Sequence, residues 1–250
     1  MSDFNIFSNP RKSRYDPDLA RRVNEEKEPV TIRKEKPEAP KIQNPQKADL
    51  KGFIYVPSIN LYLAKQVTNK NKSWNECHEI LSKEDCFMPT IKHFVEFVKY
   101  LKTDYQDRKE AETILDEILT VRNPWRSEWL DGKFEKRNKG LYLLSDHRIV
   151  NGKLKSNYQE PLEDCLMEDK QINLENYLKT SNSQGLPSQK TKDGKLYYWF
   201  PRAGSVAGFY AGSDWASLDC DYDVPDYRGG SLGVRRATAE GGCNGSQKTK

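Results

Sequence analysis

The chain has 250 residues, with 41 Lys and Arg set against 37 Asp and Glu, a net charge of +4. Hydrophobic residues make up 36% and mean hydropathy is −0.90, low for a chain packed throughout, so part of it is expected to lie outside the folded body. No run approaches the roughly 18 apolar residues of a membrane span, and the first residues lack the apolar core of a signal peptide. The near balance of charge argues against nucleic-acid binding as a property of the whole chain. The five cysteines are odd in number and scattered, which does not read as a disulfide scaffold and suits a reducing cytosol.

Residues 1–50 hold 11 Lys and Arg, 9 Asp and Glu and 6 of the 13 prolines, with almost no paired apolar positions. Such a segment buries too little surface to offset chain entropy, so it reads as a flexible arm and a candidate tether, with a short helix near 19–28. Folding signals begin at Gly52. The run from Phe53 to Ala64 is aromatic and β-branched and reads as a strand interrupted at Pro57. Ser73 with Glu76 three residues on has capping-box spacing ahead of Cys77, Ile80 and Leu81. Pro89 reads as the first residue of a second helix carrying Ile91, Phe94, Val95 and Val98, and a third carries Ile114, Leu115, Ile118 and Leu119. Trp125 and Trp129 fall in a stretch that reads as turn-rich. Residues 140–145 read as a strand, Asn151-Gly152 as a tight turn and 153–158 as the returning strand. A short helix is placed over 172–178 and a strongly β-forming run over 195–200. The order of elements favours one α+β domain over 51–240, followed by a Gly-rich tail at 241–250 expected to be disordered.

Residues 196–247 contain no lysine, in a chain otherwise rich in it. Residues 203–231 hold five Gly, four Ser, five Asp, three Tyr and one Trp, the palette of an antibody paratope. Ala207, Phe209 and Ala211 alternate with Gly208, Tyr210 and Gly212; Ala216, Leu218 and Cys220 alternate with Trp215, Ser217, Asp219 and Asp221. A period of two assigns each set to its own face of a strand, small and apolar inward, chemically mixed outward. Outward residues are expected to be exposed, so that Ser217→Asp should be tolerated as a surface change.

The pattern Val206-Ala207-x-Phe209-x-Ala211-x-Ser213-Asp214-x-Ala216-x-Leu218-x-Cys220, followed by Pro225 and Leu232-Gly233-Val234-Arg235, resembles the C-terminal variable region of archaeal-type diversity-generating retroelement variable proteins. In that family an error-prone reverse transcriptase rewrites adenine-templated codons near the 3′ end of the gene. Asparagine codons randomised at their first two bases give Tyr, Asp, Ser, Gly, Arg, Ala or Val and never Lys, in line with the lysine gap; Trp215 needs another template codon or is fixed. The resemblance covers roughly 51–236 and is specific only over 196–236. It implies a C-type lectin (formylglycine-generating-enzyme-like) fold of short antiparallel strands and two or three helices. The implied function is a non-enzymatic protein that binds a protein or cell-surface ligand through a hypervariable face, as a virion component or in the host cytoplasm. Carried over by position, the variable candidates are Gly208, Tyr210, Gly212, Asp214, Trp215, Ser217, Asp219, Asp221, Tyr222, Asp223, Asp226, Tyr227, Arg228, Gly229 and Gly230.

Other chemistry is weaker. Asp219-x-Asp221-x-Asp223 begins like a calcium loop, but Val224 stands where Gly is needed and Gly230 where a bidentate Glu belongs. Cys77, His78, Cys86 and His93 match no zinc-finger spacing, and His147 beside Asp146 reads as structural, so no metal, cofactor or catalytic residue is expected. Two alternatives share the architecture: a formylglycine-generating enzyme, for which no reactive cysteine pair is evident, and a structural virion or surface subunit.

Overall fold

The computed structural model describes residues 50–239, which lie within one unit of the chain, Ile42–Lys250. The arm below residue 50 and the tail at 241–250 fall outside the described residues. The body is α+β and mostly sheet. Among the described residues it has four α-helices, the number that the chain-order reading placed and one more than the resemblance implied, and none is long and apolar enough to cross a membrane.

The run that read as one strand broken at Pro57 is a hairpin. β1 (Phe53–Val56) turns and returns as β2 (Leu61–Thr68), with Asn60 taking φ 53° at the reversal. Ser73 and Glu76 form the reciprocal capping box of α1 (Trp74–Lys83). Pro89 stands one residue before the cap rather than inside the helix: Thr90 caps α2 (Ile91–Thr103), its hydroxyl accepting from the His93 amide. Asp107 caps α3 (Arg108–Leu119) and Asn173 caps α4 (Leu174–Thr180), the short helix expected two residues earlier.

The stretch around Trp125 and Trp129 that read as turns is largely the long central strand β3 (Arg126–Arg137), and Trp129 in it is fully buried. β4 (Gly140–Val150) and β5 (Lys153–Pro161) form the expected hairpin, with Asn151 and Gly152 both at positive φ. After β6 (Lys170–Ile172) and α4 come β7 (Leu196–Trp199), β8 (Val206–Ala211), β9 (Ala216–Asp219) and β10 (Leu232–Thr238). All ten strands join one sheet of order β1-β2-β10-β3-β8-β9-β7-β6, with the β4–β5 hairpin branching from β3.

Alternation along the central strands divides the core in two. Phe209, Ala207, Leu218 and Leu130 pack with Ile91, Phe94 and Val98 of α2, Ile114 and Ile118 of α3, and Tyr177 of α4. Val206, Trp129, Leu232 and Val234 pack on the other face with Trp74, Cys77 and Leu81 of α1. Helix α1 therefore covers one part of that second face. The adjoining part, over β8, β9 and β7, carries the paratope-like segment.

Candidate functional site

Strand register sets the candidate residues in rows. Ser127 of β3 lies beside Tyr210, then Ser217, then Tyr197; Trp129 lies beside Gly208, then Asp219, then Trp199. The opposite face holds Ala207, Phe209, Ala211, Leu218 and Cys220, each no more than 1% exposed, while Ala216 of the expected inward set is half-buried at the start of β9. The turn between β8 and β9 carries Gly212, Asp214 and Trp215 and is closed by the Gly212 amide donating to the Trp215 carbonyl at 2.9 Å. Trp215 leans on Tyr197 at 4.9 Å between ring centroids, and Tyr197 stacks on Trp199 at 5.8 Å, making a half-buried aromatic strip.

Beyond β9 the chain loops onto the start of α1. The Asn75 amide donates to the Pro225 carbonyl at 3.1 Å, Asn75 Nδ2 donates to Asp226 Oδ1 at 2.8 Å, and Arg228 Nε meets Glu76 Oε2 at 2.9 Å. Tyr222 and Tyr227 are 38% and 39% exposed, and Asp214, Asp226, Arg228 and Gly230 are exposed as well. Asp221 is half-buried, with Arg202 Nε at 3.4 Å.

Facing outward is not the same as being exposed. Gly208, Ser217, Asp219, Asp223 and Gly229 are buried. Ser217 is small and sits between Tyr210 and Tyr197. The ring of Tyr210 folds over Gly208, where an added Cβ would lie 2.9 Å from Cε2, and its hydroxyl donates to Asp223. A Cβ on Gly229 would lie 2.9 Å from Leu232 and 3.1 Å from Trp125. Ser217→Asp is accordingly expected to destabilise the fold by about 1–3 kcal/mol, because it places a carboxylate between two rings. Urea unfolding checks this, and an unchanged midpoint would mean that the rings move aside.

Sequence reasoning left three aromatics out of this surface. Tyr197 and Trp199 were read only as strand, although the buried Tyr198 between them marks them as its outward neighbours, and Trp125 stacks on Tyr210 at 6.0 Å. It also missed a convergence in the interior. Asp131 of β3 accepts from the backbone amide of His147 at 2.8 Å and meets its Nδ1 at 2.5 Å, and His78 Nε2 of α1 lies 3.8 Å from the same carboxylate. Burial tends to raise the carboxyl pKa, but the hydrogen bond from His147 and the charge of His78 outweigh it, and Asp131 is held below the usual range. Nothing local signals the group, since its members come from three elements.

The described thiols are poor nucleophiles. Cys220 is fully buried and its thiol is pushed well above the ordinary range by burial, then by Asp219 and Cys165. Burial likewise raises Cys165, and takes Cys77 up to about 12. Compared with known proteins, the chain matches no family model, no curated protein and no solved structure.

Proposed function

We propose that this chain is a binding protein of the diversity-generating retroelement type, a C-type-lectin-like scaffold that presents a hypervariable face for attachment to variable protein or cell-surface targets. The observation that carries the reading is a closely packed strand pair, β8 and β9, from which the half-buried Tyr210 and Trp215 and the exposed Asp214 project, with Tyr222, Asp226, Tyr227 and Arg228 exposed on the loop that follows. A rigid backing with chemically mixed Tyr, Trp, Asp and Gly in front is what a replaceable recognition surface requires. The formylglycine-generating alternative needs a reactive thiol, and the raised, buried thiols favour binding over that chemistry.

The test lies in the DNA beside the gene. A near-identical non-coding repeat should be present, differing from the coding copy at its adenines and covering the codons of Tyr210, Asp214, Tyr222 and Tyr227. The codons of Phe209 and Leu218 should be unchanged between the two copies. No such repeat, or differences concentrated in core codons, would remove the retroelement reading.

A further inference from the structure

We propose that His78, Asp131 and His147 form a binding site for one divalent transition-metal ion of the zinc class, which pins α1 to β3 and β4. One ligand-type atom from each residue lies within 4.8 Å of the other two, and all three residues are buried. Among the described residues no other group of three His, Cys, Asp or Glu side chains converges in this way.

The independent observation is His78 Nε2. It is buried, has no hydrogen-bond partner and faces Asp131 Oδ1 at 3.8 Å, too far for a hydrogen bond. Two ligands on one tetrahedral ion, each roughly 2.0–2.2 Å from it, stand roughly 3.4 Å apart. His78 and Asp131 are close to that separation. His147 Nδ1 needs to draw back from its 2.5 Å contact with Asp131 by roughly 0.9 Å for both to ligate at tetrahedral spacing. Two imidazoles and one carboxylate are a donor set that zinc-class ions accept.

The surroundings are organised as ligand supports are. The second oxygen of Asp131 is held by the His147 amide, and the Asp131 amide donates to the Pro89 carbonyl at 2.8 Å. Trp74 packs edge-on against both imidazoles, at 4.2 and 4.9 Å, and is itself fixed by donating from Nε1 to the Leu130 carbonyl at 2.9 Å. The neighbouring cation Arg148 is paired with Asp146 at 2.5 Å, which offsets its repulsion of an incoming ion. With 5% or less of each residue exposed, the site is closed to substrate, and its role is to hold the fold. Helix α1 also carries Asn75 and Glu76, on which the 225–228 loop rests, so the ion steadies the mount of the recognition surface.

The test uses the untagged full chain, stripped with chelator and titrated with Co2+ and then Zn2+. One equivalent of Co2+ should bind, giving visible d–d absorption that Zn2+ abolishes, and the melting temperature should rise with either metal. His78→Gln and His147→Gln should each weaken binding by at least about 100-fold, while His93→Gln should leave it unchanged. Independently of whether those variants fold, Zn2+ should shift the ring-nitrogen NMR signals of two of the wild-type chain's three histidines. Absence of stoichiometric Co2+ binding, binding that survives His78→Gln, or unshifted histidine signals would each overturn the site.

Discussion

Replacing Arg235 with leucine is expected to destabilise the domain by about 3–5 kcal/mol, the cost of stripping a buried charge of its partner. Arg235 of β10 is fully buried, and its Nε and Nη2 reach the two oxygens of Glu128 on β3 at 2.9 and 3.2 Å. Its Nη1 donates to the carbonyls of Ala64 and Lys65 on β2, at 2.6 and 2.8 Å, so one side chain ties three neighbouring strands. Arg126 adds a third contact to Glu128 at 2.6 Å. Replacing Arg235 leaves a carboxylate with no exposure and one cation beside it. The acid limb of the stability curve carries a second signature. Burial tends to raise the pKa of Glu128, but Arg235 and Arg126 outweigh it and hold it below the ordinary 4.5. On acidification the unfolded chain therefore takes up the proton first. The stabilisation is complete above about pH 4.5 and is lost as pH falls through the lower folded value. In Arg235→Leu that acid loss should shrink, because the remaining carboxylate no longer prefers to be charged. Urea unfolding of both proteins from pH 7 to pH 3 measures it; parallel curves would mean that Glu128 is not coupled to Arg235.

Leu218→Asp is the second large effect. Leu218 is fully buried on β9, registered beside Phe209 of β8 and Tyr198 of β7, themselves buried, on the face that meets α2 and α3. A carboxylate there should cost several kcal/mol and abolish a cooperative melt. Trp215→Ala, three residues earlier on the turn, should cost only about 1 kcal/mol, the scale of its ring contact with Tyr197. Comparable losses in the two variants would mean that Trp215 is part of the core.

Particular residues show what the sequence made legible. The capping box of α1 needs only Ser73 and Glu76, and the β4–β5 turn only Asn151 and Gly152, so both could be read locally. The two faces of β8 and β9 were legible because alternation is a local property. β3 was not: buried on both faces at its start, it has no period to find, and its Glu128 and Asp131 look like surface residues until Arg235 and His147 arrive from other strands. The same limit applies at the candidate site. Period two reports which face Ser217 and Asp219 occupy, but Tyr197, on the separate strand β7, helps decide how much of that face meets solvent. Pro89 was placed two positions too far into α2 because Thr90, the actual cap, follows it.

The central claim is that fold and recognition are separable, and one library tests it. Asp214, Trp215, Tyr222, Asp226, Tyr227 and Arg228, exposed or half-buried on the turn and loop, are randomised together in the full chain. Unselected clones are then melted, and the pool is selected on two unrelated immobilised proteins. The account predicts that most clones melt cooperatively within about 4 °C of the parent, the shift expected from roughly 1 kcal/mol in a domain of this size, and that the two selections return different side chains at these positions. Clones that mostly fail to melt cooperatively, or selections that return no target-specific binders, would contradict it.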